Sequence, residues 1–111
     1  MKATTVIFRK EWNEYTRRWN ALAIFPDFFE VRSGDIFVTC YAHVGQHSDM
    51  CRDYFADTKP VKAREEWLPL FHELKKIYGP LKFAKRLPSA SSYYRAEYLR
   101  RLKARKEGGL L

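Results

Sequence analysis

Two spacings of hydrophobic residues alternate along the chain and predict its elements. Thr4-Thr5-Val6-Ile7-Phe8 and Ala21-Leu22-Ala23-Ile24-Phe25 are β-branched or aromatic runs. The second is closed by Pro26-Asp27, and proline cannot continue a central ladder. They predict the two strands of a long hairpin. Between them Trp12, Tyr15 and Trp19 interleave with Arg17 and Arg18, so the strands should run past their apolar cores into a projecting, twisted ribbon. Residues 28–33 read as a loop leading to the turn signal Ser33-Gly34-Asp35. Residues 36–44 then alternate strictly. Ile36, Val38, Cys40, Ala42 and Val44 share one face, and Phe37, Thr39, Tyr41 and His43 the other. The first face is wholly apolar and is expected to be the core side.

Residues 45–62 are polar without a period and predict a long surface excursion. Trp67, Leu70, Phe71, Leu74, Ile77 and Tyr78 fall on one helical stripe. Glu65 and Glu66 precede it, Lys75 and Lys76 lie near its end, and Gly79-Pro80 stops it, as capping and the helix dipole require. Pro69 fits only in the first turn, where its missing N–H had no helical partner. Residues 81–87 alternate Leu81, Phe83 and Leu87 with Lys82, Ala84 and Arg86, a half-buried strand with a basic outer face. After Pro88 and a serine-rich break, Tyr94, Tyr98 and Leu102 step by four along a last helix that Gly108-Gly109 ends. Its first two turns should dock and it should be solvated beyond Leu102, or be ordered only on a partner. The order predicts a single small α+β domain: a β-β-β-α-β antiparallel sheet with one packed helix, plus a basic C-terminal helix. Residues 1–88 form the expected core domain and 89–111 a basic tail whose removal should leave the core complete.

Composition fits one self-sufficient domain: 111 residues, 46% of them hydrophobic, with eighteen aromatics. A chain of that size buries roughly two thirds of its unfolded surface. No signal-peptide-like apolar stretch precedes the first strand, and the longest apolar run, residues 21–26, is too short to span a bilayer. A cytoplasmic protein without a membrane partner is expected. Two cysteines are too few for a disulfide framework and should stay reduced there. Charge changes the picture most. From residue 81 to the end there are nine Lys/Arg against two acidic residues, while residues 1–80 carry twelve against eleven. Segregated positive charge concentrates polyanions or acidic protein surfaces without naming which.

Val6-Ile7-Phe8-Arg9-Lys10, Ala21-Leu22-Ala23-Ile24-Phe25-Pro26, Tyr41-Ala42-His43-Val44-Gly45-Gln46-His47 and Asp57-Thr58-Lys59-Pro60 resemble segments of a family of small proteins from gut bacteria and their phages and conjugative elements. The HVGQH string is the most specific of these, and the resemblance covers roughly residues 4–87. It implies a mobile-element setting and a fold, and no reaction, since the family carries no established activity. The basic region after Pro88 departs from the family pattern. Ile24-Phe25-Pro26-Asp27 is also similar to the second strand of HicB-type antitoxin cores, whose later glycine signals are absent. That likeness implies topology only.

Four residues suit zinc: Cys40, His43, His47 and Cys51 lie within twelve positions. Strand parity opposes the set, because Cys40 and His43 would face opposite sides of the sheet and Cys40 falls on the apolar face as a small hydrophobe. His43, Gln46, His47 and Asp49, with Cys51 as nucleophile, would make an acid–base cluster, but nothing in the spacing fixes their geometry. A non-enzymatic protein without cofactor or metal is expected. Trp12, Arg17, Arg18 and Trp19 combine stacking rings with cations, as single-strand binders do, although cross-strand pairing in a hairpin uses the same residue types. Arg95, Arg100, Arg101, Lys103, Arg105 and Lys106 occupy one helix length, with Lys82, Lys85 and Arg86 just before it. These thirteen residues are the candidate surface for nucleic acid, RNA or DNA, or for an acidic protein surface or nucleoprotein complex. The two functions they allow are a nucleic-acid-binding accessory protein of a phage or mobile element, and an anti-defence inhibitor or modulator of a host complex using the same cations.

Overall fold

The computed structural model of the protein describes residues 2–42 and 46–108, apart from the side chain of Gln46. It is an α+β domain built on one six-stranded sheet. β1 (Thr4–Asn13) and β2 (Arg18–Arg32) form the long hairpin, β3 (Asp35–Ala42) pairs antiparallel with β2, and β4 (Gln46–Cys51) pairs with β3. The two-residue β5 (Lys59–Pro60) and β6 (Leu81–Phe83) share the outer edge of β1, β5 antiparallel and β6 parallel. α1 (Leu68–Tyr78) lies between β5 and β6 in sequence, and α2 (Ala90–Glu107) follows β6.

Both faces of the sheet are buried. One carries Val6, Phe8, Ala23, Phe25 and Tyr41 and is covered by Leu70 and Leu74 of α1. The apolar face expected from β3 is the other one. There Ile36, Val38 and Cys40 join Ile7, Leu22, Ile24 and Met50 beneath Tyr93 of α2, with Phe55 and Leu87 packed alongside. The last helix therefore completes the core. Tyr93, in the segment 89–111 read as a tail, is buried in that core, and its hydroxyl donates to the Pro26 carbonyl at 2.7 Å.

That carbonyl is available because β2 does not stop at Pro26. Phe25 pairs with Thr39 and Phe29 with Val38, so three residues bulge out of the ladder before pairing resumes through Arg32. Proline is tolerated at such a bulge, where no ladder donor is needed. Residues 28–33, expected as a loop, are thus mostly strand, closed by Ser33 and Gly34 at positive φ as a two-residue hairpin turn requires. Within the expected excursion 45–62, residues 46–62 are likewise more ordered than their polarity suggested. β4 is an edge strand whose one buried residue among those described is Met50, and a short 3-10 turn, Arg52–Asp57, is fastened by Arg9. The Arg9 guanidinium donates to Thr58 Oγ1 at 2.8 Å and the Thr58 carbonyl at 2.9 Å, and it lies over the Phe55 ring. Burial lowers its pKa.

Pro69 is the second residue of α1, within its first turn, and Gly79 at positive φ ends the helix. Ile77 leaves the expected stripe and is exposed, because at its margin Tyr78 takes the place against Phe25 and Phe28. The expected strand 81–87 shortens to Leu81–Phe83, and Phe83 packs on rings while remaining largely exposed. On α2 the inward residues are Tyr93 and Glu97, one step away from the expected Tyr94 and Tyr98, which are exposed.

Candidate nucleic-acid interface

The hairpin tip forms from local chemistry. Asn13 Oδ1 accepts from the backbone N–H groups of Tyr15 and Thr16, and Arg17 takes a positive φ to turn the chain. Trp12 and Trp19 face each other across the ladder with ring centroids 5.5 Å apart, edge to face. Lys10 lies 5.2 Å over the Trp19 ring and pairs with Glu66. Tyr15 is 99% exposed at the apex, and Arg17 and Arg18 are exposed beside it. The cross-strand pairing expected of a hairpin is present, and both indoles still show an open side.

The α2 cations behave unequally. Ser89 caps the helix by accepting from the Ser92 N–H, and the helix docks over the β2–β3 end through Tyr93 and Tyr94, the latter donating to the Gly34 carbonyl. Glu97, 8% exposed, accepts from both Arg100 and Arg101. Burial alone raises the pKa of this carboxyl, but the hydrogen bonds and charges of Arg101 and Arg100 outweigh it and leave it below the ordinary range. Arg100 also lies over Phe29. Lys103 reaches Glu107 at 3.9 Å. Arg95, Arg105 and Lys106 are exposed and have no ion-pair partner among the described residues, and the same holds for Lys82, Lys85 and Arg86.

The two candidate patches are not adjacent. Apart from its bulge, β2 runs about eleven ladder steps from the Trp19 end to the Gly34 end, roughly 35 Å at strand rise, and the molecule is 52 Å long. Trp12, Arg17, Arg18 and Trp19 thus occupy one pole, and α2 docks near the other.

The cysteine and histidine set is divided by register. Cys40 stands opposite Ser48, with its Sγ 3.2 Å from the serine hydroxyl, while His47 stands opposite Tyr41 on the α1 side. Burial raises the Cys40 thiol pKa. His43 lies outside the described residues, and among those described no group of three or more His, Cys, Asp or Glu could hold a metal. Asp49, offered for an acid–base cluster, is instead engaged by Arg32 at 3.2 Å.

Sequence reasoning missed a polar seam beside α1. Tyr41 donates to Glu73 at 2.6 Å, and Tyr78 meets His47 Nε2, its ring also packing on Phe25 and Phe28. The hydrogen bond to Glu73 raises the Tyr41 pKa, and burial raises that of Tyr78. Both phenols therefore stay protonated at neutral pH; Tyr41 donates to Glu73, and the Tyr78–His47 hydrogen bond, whose direction follows the imidazole tautomer, joins α1 to β4. Tyr41 sits in the clearest alternating strand and Tyr78 on the helical stripe, so the pattern held the signal once both faces were taken as buried.

No family model, curated protein or solved structure matches the chain. Among the described residues no helix is long and apolar enough to cross a membrane.

Proposed function

We propose that the protein binds nucleic acid without a catalytic step, as an accessory protein of a phage or other mobile element. The observation that carries this reading is the charge left over on the last quarter of the chain. Its two acids, Glu97 and Glu107, are taken up by Arg100, Arg101 and Lys103, while six exposed cations from Lys82 to Lys106 have no ion-pair partner among the described residues. Unpaired exposed cations are free to exchange their counterions for phosphates. The open indoles of Trp12 and Trp19 supply a second contact, suited to unpaired bases. The mobile-element setting rests on the HVGQH resemblance.

Gel shifts with RNA, single-stranded DNA and duplex DNA over a series of salt concentrations test it. Binding at about 100 mM salt is expected, weakening as salt rises. Changing Arg95, Arg105 and Lys106 to Gln should flatten the duplex salt slope by about 0.9 for each phosphate that is no longer neutralised. No binding at that salt would refute the reading.

A second reading, a protein-directed modulator of a host complex, draws on the outer side of α2. Tyr98 and Leu99 are 64% and 51% exposed there, beside Arg95, a combination suited to an acidic protein groove. Capture of a host protein that persists after nuclease treatment, by a chain that shifts no oligonucleotide, would favour it.

A further inference from the structure

The outer edge of β1 is covered in two pieces. β6 pairs with it from Thr4 to Val6 and β5 takes it up again at Arg9 and Lys10, which leaves Ile7 and Phe8 without a strand partner on that side. A cavity of about 400 Å³ opens at this gap, walled by Phe8, Val61, Trp67 and Phe83 together with Arg9 and Lys85. Its wall is chiefly apolar, and three of its nine lining residues are aromatic. The Trp67 ring lies 5.5 Å from Phe8, stacked, and 5.5 Å from Phe83, edge to face. Phe83 touches three rings and is still 54% exposed, so much of its surface is open to an incoming ligand.

The two cations of the wall differ. Arg9 is committed to Thr58 and to the Phe55 carbonyl, so it closes the site rather than serving a ligand. Lys85 is exposed without an ion-pair partner among the described residues, as are Lys82 and Arg86 close by in the chain. A strand edge presents N–H and C=O groups to whatever enters. The site thus combines open ring surface, a backbone edge and one free cation, Lys85. An aliphatic acid would fill the apolar wall and pair with Lys85 but leave the ring faces and the backbone edge unused. A base on a single strand uses all three, by stacking, by hydrogen bonds from its own edge and by its phosphates.

We propose that this slot receives one unpaired base of a single-stranded nucleic acid, with Lys85 meeting an adjoining phosphate. The proposal rests on the nucleic-acid reading above and adds a strand preference to it. A duplex must give up pairing and stacking to deliver a base, and a single strand does not.

The test uses the full chain and an oligonucleotide of about ten residues carrying 2-aminopurine, free and annealed to its complement. The single strand should bind more tightly than the duplex, and stacking should quench the probe. Phe83→Ala should weaken single-strand binding roughly 5- to 150-fold, the range for losing one stacked base, with little effect on the duplex. Since Phe83 is exposed the variant should fold, which thermal unfolding checks. Lys85→Gln provides a second variant that leaves the aromatic residues of the wall intact, and it should weaken the single-strand complex and lower its salt slope. If both variants bind the single strand as the parent does while the Arg95, Arg105 and Lys106 changes weaken it, the slot is not the base site and the nucleic-acid reading survives. Equal affinity for duplex and single strand overturns the proposal too. If no oligonucleotide binds the parent chain, both readings fall. An acidic extended peptide that binds in a Phe83-dependent way, in a chain that binds no oligonucleotide, would assign the slot to a protein strand.

Discussion

α1 and α2 cover opposite faces of one sheet by different means. α1 is eleven residues long and buries Leu70 and Leu74 completely, with Phe71 and Tyr78 filling in beside them. α2 is eighteen residues long and buries a tyrosine and a glutamate. A helix with an apolar stripe is held by area removed from water. α2 lacks such a stripe and is held to the sheet at points: the Tyr93 phenol on a freed carbonyl, its ring against Phe29, Arg100 over that same ring, and a second phenol on Gly34. Point attachment leaves the remainder of the helix, and most of its charge, turned to solvent. One helix is committed to the fold, and the other is divided between fold and solvent.

The largest test of that contrast is Tyr93→Ala, expected to cost about 3–5 kcal/mol by the measure of buried aromatic truncations. Leu74→Ala on the other face should cost about 2–5 kcal/mol. Urea unfolding measures both. A near-neutral Tyr93→Ala beside a severe Leu74→Ala would make α2 an appendage and end the comparison. Tyr93→Phe keeps the ring and leaves the Pro26 carbonyl without its donor, costing about 1–3 kcal/mol. Cys40→Ala removes a small group from the α2 face, for about 1 kcal/mol, with chelator making no difference. Stoichiometric zinc in the purified protein would contradict this.

Acid should separate the faces more finely. The Glu97 carboxyl is held below its ordinary pKa in the folded protein. Its contribution is therefore fully present above the unfolded-state carboxylate pKa and is lost as pH falls through the folded one. Glu97→Gln should flatten the fall in melting temperature below about pH 4.5, the ordinary carboxyl value, and an unchanged profile would mean that Arg100 and Arg101 stabilise nothing through it. Smallest of all, Arg105→Ala and Lys106→Ala should stay within about 0.5 kcal/mol of the parent, whatever they do to binding.

Much of this was legible where period and punctuation agreed. The alternation of Ile36, Val38 and Cys40, the α1 stripe with Pro69 in its first turn, and the Ser33-Gly34 turn all appear in the structure. What escaped the pattern did so for identifiable reasons. An apolar face on β3 does not reveal that its opposite face is buried too, and Tyr41 reads as an amphipathic residue until α1 supplies Glu73. β4 shows no alternation because, among its described residues, this edge strand beside β3 buries one anchor, Met50. Glu97 was invisible to a hydrophobic count, since a carboxylate goes inward only when its arginines come with it. For the candidate surface, sequence located the cations but not their mutual cancellation around Glu97, and it separated Lys85 from Trp67, which the fold brings to one cavity.

The bulge in β2 also bears on how the chain tolerates change in length. Everywhere else in a ladder, gaining or losing one residue sends every later side chain to the opposite side. Between Phe25 and Phe29 the chain is out of the ladder, with Asp27 exposed. A residue gained there alters only the size of the excursion, and Phe29 still meets Val38. The two halves of the strand are thus free to drift in length relative to each other without reassigning their side chains between the two cores. Related sequences should accumulate insertions at Asp27 and nowhere else in the strand.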